Sequence, residues 1–220
     1  MGINLGEIFP DFEADTTVGK MKFHEWLGNS WAIFFSHPKD YTPVCTTELG
    51  RVVKLQDEFK KRGVKTIALS CDDVADHKGW SKDVQKFAGC SGELPFPIVA
   101  DPGRDLAVKF GMVDPDEKDE KGLPLTCRAV FVIGPDKRLK LSILYPATTG
   151  RNFDEILRVI DSLQLTATKP VATPVDWQPG QKCMVVPKLS DDEAKAAFPK
   201  GFEKVELPSG KGYLRFTPNP

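Results

Sequence analysis

Five cysteines, at positions 45, 71, 90, 127 and 183, are the residues of this chain best suited to covalent chemistry. Their number is odd, their spacings are wide and no C-x-x-C occurs, which argues against a disulfide framework and against a zinc site. The only histidines, His24, His37 and His77, are not grouped with the cysteines, so no metal cluster is expected. A free cysteine is ordinarily a small buried hydrophobe. Cys45 has a different setting. It lies in residues 36–50, SHPKDYTPVCTTELG, directly after the apolar run WAIFF at 31–35. Thr42 suits an N-cap and Pro43 the first helical position, which makes Cys45 the third residue of a helix. The amides of a first helical turn lack intrahelical acceptors, and the macrodipole places about half a positive charge there. A thiolate is an anion, so this position favours it; cysteines at helix N-termini or beside cations have pKa values lowered to ~3.5–7.5 from ~8.5. Cys45 therefore reads as a nucleophile. The alternative is an inert side chain filling the pocket at the helix start.

The elements that position it follow from periodicity. WAIFF is a strand, and the stretch 43–62 is a helix closed by Gly63, with Leu49, Val52, Val53, Gln56 and Phe59 marking its buried face. A strand-to-loop-to-helix junction lies at the carboxyl end of a sheet strand, where open α/β folds place their sites. Alternation in DFEADTT and KMKF around Val18-Gly19 predicts an N-terminal hairpin. VKTIALS is a strand, residues 73–87 a polar helix, FPIVAD a short apolar segment and PGRDLAVKFG a helical turn. CRAVFVIG and RLKLSILY form two strands joined by a turn at 134–137. NFDEILRVIDSL is an amphipathic helix presenting Phe153, Ile156, Leu157, Ile160 and Leu163 on one face, with Asn152 and Glu155 suited to a capping box. Strands alternating with helices, plus a hairpin, imply an α/β fold with a mixed sheet.

Composition shifts after Leu165. TATKPVATPVDWQPGQ carries three prolines and reads as an extended linker; a strand-like CMVVP, a short helix in SDDEAKAAF and a hairpin turning at 208–210 follow. The expected domains are 1–165 and a small C-terminal extension, 166–220, too short to bury a core alone and suited to an arm against the main domain or a second subunit. Hydrophobic residues make up 40% of the chain and charged residues 28%, an ordinary soluble composition. Thirty basic and 31 acidic residues leave a net charge of −1, so no strong field points to nucleic acid or an anionic membrane. The first residues, MGINLGEIFP, hold no basic-then-apolar leader, and Gly6 stands where a myristoylation site wants Ser or Thr. No apolar run reaches the ~20 residues of a membrane span. A cytoplasmic protein is expected.

PKDYTPVC, residues 38–45, matches the P-x-x-x-T-x-x-C signature of the peroxiredoxins, and the flanking SHP and TTELG resemble their one-cysteine (peroxiredoxin-6-like) group. The resemblance runs through LPFPIVAD, RAVFVIGPDKRLKLSILYPATTGRNFDEILRVIDSLQLT and VATPVDWQPG, essentially the whole chain. It implies a thioredoxin-like fold with a central mixed sheet flanked by helices. It also implies a thiol peroxidase that needs no cofactor and serves antioxidant defence, reducing hydrogen peroxide and organic or phospholipid hydroperoxides through a sulfenic acid on Cys45. Thr42 would orient the peroxide, Pro38 would shield the sulfenic acid, and Arg128 would hold the thiolate and the charge developing on the oxygens. His37 would touch the site, and Glu48 and Arg151 would support the arginine–carboxylate network.

Two-cysteine members carry a resolving cysteine in a C-terminal V-C-P; aligned on the tryptophan of ATPVDWQPG, that place is held by Thr173, and Cys183 falls ten residues later. The spacing selects none of Cys71, Cys90 and Cys127. The resemblance therefore implies an external thiol, with glutathione, delivered by a transferase, the leading candidate, and ascorbate or thioredoxin as alternatives. It also implies a homodimer. Residue 48 is Glu rather than Cys, which argues against a disulfide reductase. Members of the group have also been assigned phospholipase A2 activity, for which Ser30, His24 and Asp136 hold the matching positions and any membrane contact would be transient. Ala32 replaces the last glycine of a G-x-S-x-G elbow, and Ser30 opens a strand, so a turn serine is the competing reading.

Overall fold

The computed structural model describes residues 2–220, and the chain divides into two compact units that part between Phe153 and Asp154. The boundary expected at residue 165 falls inside a helix.

In the first unit, β1 (Glu13–Thr16) and β2 (Gly19–Lys22) form the expected hairpin, with Thr16 opposite Gly19. The strand does not run on through Phe23: α1 (Phe23–Leu27) begins there and buries Phe23 and Leu27. Next come β3 (Trp31–Ser36), α2 (Pro43–Lys54), α3 (Gln56–Lys61), β4 (Val64–Ser70), α4 (Val74–Ala88), β5 (Ile98–Ala100) and α5 (Asp105–Lys109). The ribbon of β6 (Val113–Lys118) and β7 (Pro124–Thr126) follows, then β8 (Arg128–Ile133) and β9 (Leu139–Tyr145). Seven strands make one mixed sheet in the order β2-β1-β5-β4-β3-β8-β9. β3 sits near its centre, parallel to β4 and antiparallel to β8, and all its residues after Trp31 are buried. That is why its sequence is an unbroken apolar run rather than an alternation. One face packs on a phenylalanine cluster in which Phe9 meets Phe23, Phe34, Phe110 and Phe131 at centroid distances of 4.9–5.8 Å.

One expectation for this unit is corrected. The helix read over 43–62 is interrupted at Leu55, whose amide is shared between the Arg51 and Val52 carbonyls, and the Gln56 side-chain amide also reaches the Val52 carbonyl at 3.2 Å. Residues 113–126, which carry no clear period in the sequence, form the ribbon of β6 and β7 with charged residues, a proline and a register shift.

α6 (Phe153–Thr168) has the expected amphipathic face, with Phe153, Ile156, Leu157 and Ile160 buried. The second unit, Asp154–Pro220, contains β10 (Val171–Ala172), β11 (Cys183–Val185), α7 (Asp191–Ala197), β12 (Glu203–Lys204) and β13 (Arg215–Thr217), its strands ordered β10-β11-β13-β12. Here too the reading is corrected. The proline-rich stretch contributes β10 and the buried Trp177, and Val171, Trp177, Cys183, Val185, Ala194 and Phe198 form a core of this unit's own. No described helix is long and apolar enough to cross a membrane.

Candidate active site

The chain leaves β3 at Ser36, crosses residues 37–42 and enters α2 at Pro43, so Cys45 is the third residue of that helix and fully buried. Thr42 occupies the N-cap position with extended backbone, yet its hydroxyl does not cap the helix. It donates to the Lys39 carbonyl at 2.8 Å, drawing the loop into a turn and leaving its oxygen lone pairs open. Tyr41 holds φ +56°, a left-handed conformation that a bulky residue keeps only when its surroundings impose it. Pro38 is buried within this loop.

Arg128, the first residue of β8, donates from Nε and Nη2 to the Ala147 carbonyl at 2.9 and 2.5 Å. Its Nη1 donates to Glu48 Oε2 at 2.8 Å and lies 3.4 Å from Cys45 Sγ. Glu48 sits three residues after Cys45, one helical turn on, and faces the same way. Arg151 donates to Glu48 from its backbone amide (2.7 Å), Nε (3.0 Å) and Nη2 (2.7 Å). Its Nη1 donates to the carbonyls of Ser36 and Ala129, which ties the network to β3 and β8. Burial would push the Glu48 carboxyl up, but the charge and hydrogen bonds of Arg151 and the charge of Arg128 hold it below the usual carboxylate range. Two buried guanidiniums and one carboxylate leave an excess positive charge directed at sulfur.

His37 is buried, with Nε2 2.6 Å from Asp40 Oδ1. Asp40 Oδ2 lies 2.6 Å from His77 Nδ1, and Trp80 packs on the His37 ring while its Nε1 donates to Thr46 Oγ1. Asp40, His77, Trp80 and Thr46 were not singled out by sequence. The signal available was spacing: His77, Trp80 and Val84 share one helical stripe, and all three are buried. His37, Asp40 and Asp72 come close enough together to suggest a cation, but Asp40 already engages two imidazoles and Asp72 Oδ2 accepts from the Asp40 amide and from Ser70 Oγ.

Ser30, His24 and Asp136 come from one end of the sheet, where Ala32 pairs with Ile133 and the Phe9 amide donates to the Lys137 carbonyl, but they are not hydrogen-bonded to one another. Ser30 sits in the turn before β3. His24 Nε2 meets the Phe9 carbonyl at 2.7 Å, and Asp136 pairs with Lys140. All five cysteines are free thiols. Burial pushes Cys71 up to about 12 and raises Cys127 and Cys183 as well. At the position of the two-cysteine resolving residue, Thr173 Oγ1 meets Ser162 Oγ at 2.7 Å.

A thioredoxin-like sheet with a buried cysteine in the first turn of the helix after its central strand, faced by an arginine, defines a thiol-dependent peroxidase. Residues 5–142 match the AhpC/TSA family, and residues 162–201 match the C-terminal domain of 1-Cys peroxiredoxin. The chain is 66% identical to peroxiredoxin-6 of Gallus gallus and 64% identical to that of Homo sapiens, covering 100% of this chain and 99% of each relative. Its fold superposes on the C45S mutant of the peroxiredoxin 6 of Arenicola marina with a TM-score of 0.98, at 71% identity and with 100% and 99% of the two chains covered. Against yeast mitochondrial 1-Cys peroxiredoxin the TM-score is 0.87, at 44% identity and with 98% and 99% covered; that structure concerns thiol resolution via glutathione/thioredoxin systems. The chain belongs to the peroxiredoxin family, in its one-cysteine group.

Proposed function

We propose that Cys45 is the peroxidatic residue, and that the chain reduces hydroperoxides with an external thiol, glutathione first among the candidates. The observation that carries this is the 3.4 Å approach of Arg128 Nη1 to Cys45 Sγ inside a network with one positive charge in excess. A buried charge without a partner is costly, and a thiolate on Cys45 supplies the missing anion. The thiolate attacks the terminal oxygen of the hydroperoxide. An S–O bond forms as the O–O bond breaks, sulfur is oxidised by two electrons, and the departing alkoxide or hydroxide takes a proton from water. Arg128 faces the oxygens on which charge develops, Thr42 offers its free lone pairs to the peroxide O–H, and Pro38 covers the loop above. Glu48 and Arg151 fix the guanidinium. His37 presents a further polar group to the same turn.

One thiol then displaces hydroxide from the sulfenic acid as water, giving a mixed disulfide; a second thiol releases Cys45 and leaves the oxidised reductant. An external reductant is supported by the burial of Cys71, Cys127 and Cys183 and by the systems named for the yeast relative. A homodimer is supported by β9, which ends the seven-stranded sheet with Leu144 57% exposed on an unpaired edge. The decisive experiment treats reduced protein with one equivalent of hydroperoxide, traps the product with dimedone and locates the adduct by mass spectrometry. Modification of Cys45 alone is expected; an adduct on any other cysteine overturns the assignment.

A further inference from the structure

We propose that Trp80 and Thr46 are positioning residues for the oxidation of Cys45: the Trp80 indole N–H fixes the Thr46 hydroxyl on the Thr42 carbonyl and so holds closed the helical turn that carries the sulfur. The inference rests on Cys45 being the oxidised sulfur.

Thr42 and Thr46 bracket the nucleophile. Residues 43–45 open α2, and the Thr46 amide donates to the Thr42 carbonyl at 3.0 Å, closing the turn around them. One backbone bond is a weak fastening, because the first turn of a helix fixes several residues for a single hydrogen bond. The Thr46 hydroxyl doubles it by donating to the same carbonyl at 2.8 Å. A threonine hydroxyl in a helix is free to rotate toward other acceptors or toward water. Trp80 removes that freedom. Its Nε1 donates to Thr46 Oγ1 at 3.1 Å, which keeps the oxygen turned toward α4 and the hydroxyl hydrogen on Thr42. The indole is fully buried, and a buried indole N–H ordinarily keeps a partner. Donors in series also polarise one another, so each link of the chain Trp80–Thr46–Thr42 strengthens the next.

The same helix grips the other end of the segment. Gly79, directly before Trp80, makes room for the Tyr41 hydroxyl, which a Cβ at that position would strike. Tyr41 is the left-handed residue before Thr42, so two consecutive residues of α4 seat residues 41 and 46. Thr42 is then held through its carbonyl by Thr46 and through its hydroxyl by Lys39, and Cys45 Sγ is kept 3.4 Å from Arg128 Nη1. Trp80 and Thr46 act through the Thr42 carbonyl and not on the peroxide. Thr47 supplies the contrast. Its hydroxyl makes the same kind of bond, to the Val44 carbonyl at 2.7 Å, but the residue is exposed and water competes for that hydroxyl.

The test uses the whole protein with its cysteines reduced. Rapid mixing with hydrogen peroxide, acid quenching and mass spectrometry of the blocked thiols give the oxidation rate of Cys45 without recourse to tryptophan fluorescence. Thr46→Val keeps the shape of the side chain and removes both hydroxyl bonds; Trp80→Phe keeps a ring and removes the donor. Each should oxidise on the order of tenfold more slowly, the worth of one or two neutral hydrogen bonds. Thr46→Ser should restore most of the rate, and Thr47→Val should match wild type. Because the two residues act in series, Trp80→Phe should cost little once Thr46→Val is in place. Proton–nitrogen spectra give a reading independent of rate: the Trp80 indole resonance should move in Thr46→Val and stay in place in Thr46→Ser. An unmoved indole resonance in Thr46→Val overturns the proposal. So do a Thr46→Val rate equal to wild type, an equal slowing in Thr47→Val, or fully additive losses in the double variant. Where Trp80→Phe fails to fold, the threonine variants and their spectra decide. Peroxide consumption that survives Cys45→Ser would instead sink the assignment of the sulfur, and the indole reading would stand unaffected.

Discussion

Glu48 is bound to Arg151 by three hydrogen bonds, at 2.7, 3.0 and 2.7 Å, and the same carboxylate receives Arg128 at 2.8 Å. The carboxylate therefore decides where the sulfur-facing nitrogen of Arg128 points. Glu48→Gln keeps the shape but leaves two buried guanidiniums without their counter-charge. Breaking a buried pair in this way costs about 3–5 kcal/mol, which urea unfolding will read at neutral pH. The folded carboxyl titrates below its unfolded value, so its contribution is fully present above the unfolded pKa and is lost as pH falls through the folded one. Wild type and variant should converge in acid, and an equal gap at every pH would contradict the ion-pair account.

Arg128→Lys preserves the charge and loses the fork. A single ammonium cannot hold the Ala147 carbonyl, Glu48 and Cys45 Sγ at once, as the guanidinium does. Removal of one preorganised donor from a developing charge costs on the order of 100- to 1000-fold in rate. Cys45 oxidation should slow by that range with little change in melting temperature. A rate within a factor of two of wild type would mean that charge alone suffices.

Much of this site was legible before any coordinates. Thr42, Pro43 and Cys45 are local: their spacing sets a helix start, and the helix formed there. Arg128, Glu48 and Arg151 come from β8, α2 and a loop, and only the family resemblance connected them, because nothing in a one-dimensional pattern pairs residues about 80 to 100 positions apart. Thr42 takes the N-cap position its type suggests, but cap propensity describes a position and does not say where the hydroxyl turns, and here it donates to the Lys39 carbonyl without accepting from the helix. In the second unit, β10 and β12 have two residues each, too short for any period to show, and the small core there became visible only once the strands were paired.

The buried thiols other than Cys45 should be silent. Cys71, Cys127 and Cys183 are buried and raised by that burial, Cys71 to about 12, and a protonated thiol is a poor nucleophile. Peroxide turnover with glutathione should persist in Cys183→Ser and in a variant lacking Cys71, Cys90 and Cys127, and should vanish in Cys45→Ser. Loss of turnover in Cys183→Ser, with an inter-chain disulfide in oxidised wild type, would show that the chain resolves its own sulfenic acid.

Asp40 gives the protein an acid limb that can be isolated. Its carboxyl moves from the ordinary 3.8 to about 2 on folding, because hydrogen bonds from His37 and His77 outweigh its burial. A depressed folded pKa stabilises the protein above the unfolded value and withdraws that stability as pH falls toward the folded one. At ~1.4 kcal/mol per unit, the shift corresponds to about 2 kcal/mol, present at neutral pH and lost between roughly pH 4 and pH 2. Asn at this position does not titrate, so Asp40→Asn should be less stable than wild type at pH 7 and should lose less on acidification. Unfolding free energies from urea titrations across that range give the difference directly. Parallel curves for the two proteins would mean that Asp40 carries no proton-linked stability.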